Sequence, residues 1–205
     1  MKIGLDLRGV VIDSVEVSRR ALECETGLVI SQMTFLGKQS VEAGIWCSYL
    51  NGPGGRALEL DDWTKAMRFL HETSALVELS ELMPGAAESI RSLVDANHEV
   101  GIVTSTKGLN DGNVWTLVQK HKLPVTFVHA TQKRPKTQFY NACDAVIDDD
   151  PAHLYQVRAH IISILMQAPL RHQPDRLPML PQRLPSHIRV AVGWPDVMKQ
   201  VAMAA

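Results

Sequence analysis

From residue 84 onward, short β-branched runs alternate with helix-length segments, and this alternation most constrains what the chain can fold into. Pro84-Gly85 opens a helix with Ile90, Leu93 and Val94 on its apolar face and Asn97 as a left-handed stop. Residues 100–103 read as a strand ending in Thr104-Ser105-Thr106, followed by a helix near 111–122 and a strand at 125–128. Further strands are expected at 145–147, 161–166 and 188–192, with Pro195 in the first turn of a final helix. Strands separated by helices of about 10–15 residues are parallel, because the chain must cross back before pairing. The expected fold class is α/β: a doubly wound, Rossmann-like parallel sheet with helices on both faces.

The first strand lies before this alternation. Residues 2–12 read as a buried strand that breaks at Gly9. Residues 14–83 then look helical, with Ser14 as a cap and no convincing strand. Trp63, Ala66, Met67 and Leu70 form one helical stripe behind the capping candidates Asp61 and Asp62. At roughly 150 residues per domain, the 205 residues exceed one plain domain and fall short of two. The expected organisation is a core of 1–13 and 84–205 with a small helical insertion, 14–83, after the first strand. Five prolines crowd into 169–185, and the arginines of 171–189 are candidates to grip an anion or to lie in a solvated loop.

Composition removes several classes. A formal net charge of −1 gives no footprint for bulk nucleic acid. No apolar run approaches the ~18 residues of a membrane span. The charge within Met-Lys-Ile-Gly-Leu argues against a signal peptide. Cys24, Cys47 and Cys143 are odd in number and far apart, so neither a disulfide framework nor a CxxC metal pair is expected. A reduced, cytoplasmic setting follows as the expectation. The histidines form no HExxH pair, and the 51–55 loop lacks the Gly-Lys-Ser/Thr ending of a phosphate-binding P-loop.

In a doubly wound sheet, ligands meet the carboxyl ends of the strands. Strand one ends in Asp6, the 100–103 strand in Thr104, and the 145–147 strand in Asp148-Asp149-Asp150. Lys136 precedes the last of these in Arg134-Pro135-Lys136-Thr137. Carboxylates converging on one point repel unless a cation lies between them, and hard oxygen donors suit Mg²⁺. A metal, an ammonium and a hydroxyl together neutralise a phosphoryl group, and a carboxylate beside them can attack phosphorus. Each of these residues alone is more often a cap, a turn or a solvated surface group. Their order along the chain favours one shared site.

These segments resemble the haloacid dehalogenase (HAD) superfamily. Its first motif, D-x-D-G-[TV]-[LV], corresponds to Asp6-Leu7-Arg8-Gly9-Val10-Val11; its second to Gly101-Ile102-Val103-Thr104; its third to Lys136; its fourth to Asp148-Asp149. Thr104-Ser105, Lys136-Thr137, Ile147-Asp148-Asp149-Asp150-Pro151 and Trp194-Pro195-Asp196-Val197 further resemble the 5'(3')-deoxyribonucleotidase-like group. The resemblance covers the core and implies that 14–83 is a helical cap. It implies Asp6 as nucleophile, with Mg²⁺ held by Asp6, the Arg8 backbone carbonyl, Asp148 and Asp149. It implies Thr104, aided by Ser105, as the holder of a phosphoryl oxygen, Lys136 as the bridge between nucleophile and phosphate, and Gly9 as the tight turn beneath it. The implied partner is a small phosphorylated substrate, a nucleotide among the candidates, with no membrane and no bulk nucleic acid; a homodimer is admitted.

The departure is Arg8, which stands where the family's second aspartate protonates the leaving oxygen and activates water. Arginine does not exchange protons near neutral pH, and general acid–base help is worth about 10²–10⁴-fold. Arg8 would instead stabilise negative charge and weaken cation affinity. Two functions stay open: a phosphohydrolase working through an aspartyl-phosphate at Asp6, and a catalytically impaired relative that binds a phosphorylated ligand or a protein partner. Asp13, Glu16, Asp150 and His153 are nominal substitutes for the proton work. Lys133 and Arg134 are alternatives to Lys136, and Trp46 and Tyr49 are candidates for a substrate pocket.

Overall fold

The computed structural model describes residues 1–32, 35, 38–49, 55–72, 74–132, 134–167 and 184–204. The segment 168–183, Lys133, and residues 51–54 of the predicted loop lie outside them, as does the Tyr49 side chain. The chain divides into two compact units, residues 1–12 with 82–205, and residues 13–81.

The larger unit is built on strand β1 (Lys2–Leu5). The smaller unit holds α1 (Ser14–Thr26), β2 (Leu28–Val29), α2 (Lys38–Glu42), β3 (Trp46–Tyr49), β4 (Gly55–Ala57), α3 (Leu60–Glu72) and α4 (Ala75–Leu79). The larger unit resumes with α5 (Ala86–Asp95), β5 (Glu99–Thr104), α6 (Asp111–Lys120), β6 (Phe127–Ala130) and α7 (Lys136–Tyr140). It closes with β7 (Ala145–Asp148), α8 (Pro151–Leu154), β8 (Ile162–Gln167), β9 (Ile188–Val192) and α9 (Gly193–Ala202).

The six strands of the larger unit form one sheet in the order β6-β5-β1-β7-β8-β9. Every pairing in it is parallel. This is the expected doubly wound α/β sheet. The chain runs outward from β1 through β5 to β6, then returns to β7 on the other side of β1. Strand order therefore reverses at β1, and the crevice at its carboxyl end is the topological switch point where such sheets bind ligands. On one face, Val103, Tyr140, Val146, Leu154, Ile161 and Leu165 form a buried apolar cluster. Asn97 takes the left-handed conformation expected of it, with φ 60°.

The smaller unit corrects the purely helical expectation. Its strands β2, β3 and β4 form an antiparallel sheet. The signal was a period of two over four residues, with Trp46 and Ser48 exposed and Cys47 buried. A stretch so short is easily merged into the flanking helices. The cap of α1 is Asp13, not Ser14: the Asp13 carboxylate accepts from the backbone N–H groups of Val15 and Glu16 at 3.1 and 3.0 Å. Asp61 and Asp62 lie inside the first turn of α3, and Asp62 takes a forked contact from Arg56 at 2.5 and 2.7 Å.

A buried ion network organises α1. The Glu16 carboxylate accepts from Arg19 at 2.9 and 2.7 Å and from Arg20 at 2.9 Å. Arg19 also pairs with Glu23 at 2.6 Å, and Arg20 with Glu81. The Arg19 hydrogen bonds outweigh burial and hold Glu16 down at about 2. A group depressed in this way stabilises the fold above its unfolded value and loses that contribution as pH falls through the folded one. Glu16→Gln is therefore expected to cost about 3 kcal/mol in denaturant unfolding at neutral pH. That gap should close as pH falls from about 4.5 toward about 2; a gap independent of pH would refute the assignment.

Candidate active site

At the carboxyl end of β1, the Asp6 side chain is buried. Its Oδ1 accepts the Leu7 backbone N–H at 2.6 Å and meets Lys136 Nζ at 2.7 Å. Lys136 is the first residue of α7, with Pro135 as the N-cap. The same ammonium donates to Asp148 Oδ2 at 2.8 Å. Lys136 is thus a buried bridge between the ends of two adjacent strands. Burial alone would lower its pKa, but Asp6 and Asp148 raise it.

Asp148 is the most heavily contacted of the acids. Its Oδ2 also accepts from the Tyr140 hydroxyl at 2.6 Å, and its Oδ1 accepts from the Asp150 N–H at 2.9 Å. His153 Nδ1 stands 3.2 Å from Asp148 and 3.4 Å from Lys136. Against its burial, the His153 contact and the Lys136 charge hold Asp148 below the usual carboxylate range. The bond to Asp148 in turn raises His153. With so many donors engaged, Asp148 serves chiefly to fix Lys136.

Asp6 and Asp149 behave differently. Burial and the charge of Asp148 push Asp6 up to about 6 despite Lys136. Surrounding protein, then the charges of Asp6 and Asp148, raise Asp149 to about 8, although it keeps an exposed edge. Asp6, Asp148 and Asp149 each offer an oxygen within 4.8 Å of the others. Carboxylates so close favour a proton or a cation among them. The donor set is all hard oxygen, so it fits Mg²⁺.

Gly9 makes room for one of these acids. Its φ is +82°, and a Cβ on it would lie 2.0 Å from Asp149 Oδ2. Asp149 therefore rests directly on the Gly9 backbone. Gly9→Ala combines a disfavoured backbone angle with displacement of that carboxylate. It is expected to cost about 1–3 kcal/mol, read as a lower thermal midpoint; an unchanged midpoint would mean that the turn relaxes freely.

Arg8 is half-buried. Burial lowers its guanidinium, while Asp6 and Asp149 pull it back up. It is thus electrostatically engaged with both carboxylates. Thr104 ends β5, beside β1, and its buried hydroxyl donates to Thr106 Oγ1 at 2.9 Å. Ser105 is exposed, so the hydroxyl joined to Thr104 belongs to Thr106. Arg134 is exposed and stacks on Phe139 at 4.8 Å, so of the described alternatives Lys136 is the base inside the site.

Of the substitutes for proton work, His153 brings its side chain to this network, while Asp150 meets it through its backbone N–H. Asp13 caps α1, Asp150 caps α8 through Ala152 N–H at 2.8 Å, and Glu16 is committed to two arginines. Sequence reasoning missed Tyr140 and the part played by Trp194. Tyr140 is four residues after Lys136 on one short helix, which puts both on one face. Trp194 is fully buried, and its Nε1–H donates to the Val10 carbonyl at 2.9 Å, holding the turn after Asp6. Of the arginines of 171–189, Arg171, Arg176 and Arg183 lie outside the described residues, and Arg189 is exposed on β9.

No family profile matches the chain, and no curated protein sequence matches it significantly. Solved structures do. A HAD-superfamily hydrolase of subfamily IA from Geobacter sulfurreducens PCA is 16% identical, with a TM-score of 0.51 over 97% of this chain and 94% of that one. A hydrolase from Pseudomonas syringae is 15% identical, with a TM-score of 0.51 over 100% of both chains. The chain has the fold of the HAD-superfamily hydrolases. A putative beta-phosphoglucomutase from Thermotoga maritima shares it at 13% identity and a TM-score of 0.50, over 100% and 99% of the two chains. Among the described residues, no helix is long and apolar enough to cross a membrane.

Proposed function

We propose that this chain is a phosphohydrolase of small phosphorylated metabolites, working through an aspartyl-phosphate at Asp6. The observation that carries this reading is the buried Lys136 ammonium held between Asp6 and Asp148, at 2.7 and 2.8 Å, at the switch point of the sheet. The hydrolase neighbours and the putative beta-phosphoglucomutase sharing the fold support the same class. A nucleotide remains within that class; Trp194, one of the nucleotidase-like cues, is accounted for by its packing against Val10.

In the reaction, the ionised Asp6 carboxylate attacks phosphorus, and the bond from phosphorus to the leaving oxygen breaks with its electron pair going to the leaving group. Lys136 balances charge on the nucleophile and the phosphoryl oxygens. Thr104, beside β1, supplies a hydroxyl for one of those oxygens. Water then cleaves the aspartyl-phosphate and releases phosphate. Mg²⁺ would be held by Asp6 and Asp149, with Asp148 and the Arg8 carbonyl completing the set, and when bound it neutralises phosphoryl charge.

Arg8 can give no proton to the leaving oxygen. Substrates with good leaving groups, acyl phosphates above all, are therefore favoured. The same arginine, engaged with Asp6 and Asp149, supports a second reading in which the chain binds a phosphorylated ligand without turnover. Phosphate release from acetyl phosphate, p-nitrophenyl phosphate, sugar phosphates and nucleotides, with Mg²⁺ present, separates the two. Turnover of acetyl phosphate well above the esters is expected. No release from any of them, with thermal stabilisation by one, would replace the first reading with the second.

A further inference from the structure

Lys136 has to point its ammonium at one oxygen of Asp6, a task for which a flexible four-carbon stem is poorly suited. Its Nζ meets Asp6 Oδ1 at 2.7 Å and Asp148 Oδ2 at 2.8 Å. Its aim is therefore only as good as the orientation of Asp148, and a carboxylate turns easily about its last torsion. Asp148 is stopped at both oxygens. Oδ1 accepts the Asp150 N–H at 2.9 Å. Oδ2, the oxygen that holds Lys136, also accepts the Tyr140 hydroxyl at 2.6 Å. Tyr140 is itself seated firmly. It is fully buried, and its ring lies against β1 at Gly4, where a Cβ would stand 3.5 and 3.6 Å from the ring's Cδ1 and Cε1. The Asp6 N–H donates to Ile147 O at 2.9 Å, which carries the ladder between β1 and β7 up to the two acids. Gly4, two residues before Asp6, lies on the same face of the sheet. The ring thus occupies the face from which Asp6 projects, with the Lys136 ammonium 5.5 Å from its centroid, within cation–π range.

We propose that Tyr140 is a positioning residue of the reaction: its hydroxyl locks Asp148 in the orientation that aims Lys136 at the Asp6 nucleophile. This rests on the phosphohydrolase reading and adds to it a group buried behind the reacting atoms. Packing alone does not account for the phenol. Phenylalanine would fill the same seat at Gly4 and join the same apolar cluster, with no hydroxyl to desolvate. Burying that hydroxyl is costly, and the bond it makes goes to an oxygen that Lys136 already neutralises. What the bond adds is direction. Without it, Asp148 Oδ2 holds only Lys136, and the carboxylate can turn and draw the ammonium off Asp6. A misplacement of about 1 Å at a reacting group costs on the order of 10²-fold in rate. The loss falls on a contact needed in the transition state, so it should appear in kcat and leave KM alone.

The test compares wild type with Tyr140→Phe, which keeps the ring and removes only the hydroxyl. Acetyl phosphate turnover is measured beside thermal unfolding and the proton exchange of the Lys136 ammonium with water. That exchange is read by NMR on protein labelled with ¹⁵N-lysine, the Lys136 signal being the one absent from Lys136→Arg. In Tyr140→Phe, kcat is expected to fall about 10–100-fold with KM near wild type. The thermal midpoint should stay close to wild type, and the ammonium should exchange at least about 10-fold faster as its hold loosens. In an Asp148→Asn background, Tyr140→Phe should cost little further rate, because the hydroxyl acts through that carboxylate. An unchanged kcat in Tyr140→Phe would overturn the proposal, whatever happens to stability, and would leave Tyr140 a packing residue. A rise in KM in place of the fall in kcat would overturn it, as would a lower kcat with ammonium exchange unchanged or full additivity with Asp148→Asn. If wild type releases no phosphate from any substrate, the hydrolase reading fails by itself, and ammonium exchange alone decides whether the Tyr140 hydroxyl holds Lys136 in place.

Discussion

Asp6→Asn is expected to lower phosphate release by at least about 10⁴-fold, because an amide cannot form the aspartyl-phosphate on which both half-reactions depend. The variant should keep its fold. Burial already drives Asp6 toward its neutral form, raising it to about 6, and asparagine is a neutral group of the same shape. The Leu7 N–H, which donates to Asp6 Oδ1 at 2.6 Å, retains a carbonyl oxygen as acceptor. Phosphate release and the thermal midpoint should therefore separate: the first falls to background, the second stays near wild type. Residual turnover within 10-fold of wild type would remove Asp6 from the nucleophile's role. The same raised value predicts a rate that falls as pH drops below about 6 in metal-free assays, where the carboxyl holds its proton.

Lys136→Met should have the opposite signature, losing stability as well as turnover. The ammonium is buried, with contacts to Asp6 and Asp148 at 2.7 and 2.8 Å. Removing it strands two buried carboxylates, a loss of about 3–5 kcal/mol for a broken buried pair. The dependence on pH identifies the cause. Without Lys136, Asp6 shifts further upward, Asp148 loses part of what holds it down, and both can relieve the strain only by taking protons. The deficit against wild type should be smallest at acid pH and grow toward neutrality. The wild-type lysine is itself raised above its usual value, so its contribution stays whole until the pH is strongly alkaline. Denaturant unfolding at pH 5 and pH 8 reads both arms. Equal deficits would mean that packing of the lysine stem, rather than its charge, supports the site.

The sheet and the strand-end residues were legible because each depends on a local rule. Apolar runs closed by Asp6, Thr104 and Asp148 mark strand ends, and alternation with helices forces the parallel order. What stayed hidden depends on approach across long sequence separations. Nothing beside Gly9 hints that it makes space for Asp149, which lies in another segment and comes within 2.0 Å of a would-be Cβ. Tyr140 has a signal, its spacing from Lys136, but an aromatic residue four positions along a helix reads first as core, and most of this ring is core. In residues 13–81 the strands are so short that helix periodicity on either side overwhelms their alternation. Arg8 was visible as a departure. Its engagement with Asp149 as well as Asp6 required the fold.

The bond from Trp194 to Val10 spans 184 positions of the chain. It joins the turn after Asp6 to α9, which follows all six strands of the larger sheet in the chain. During synthesis, Asp6, Thr104, Lys136 and Asp148 have all emerged while that turn still lacks its clamp. The carboxylate cluster and the turn beside it are thus finished only when α9 docks, and a nascent chain carries the reactive groups before it carries the site.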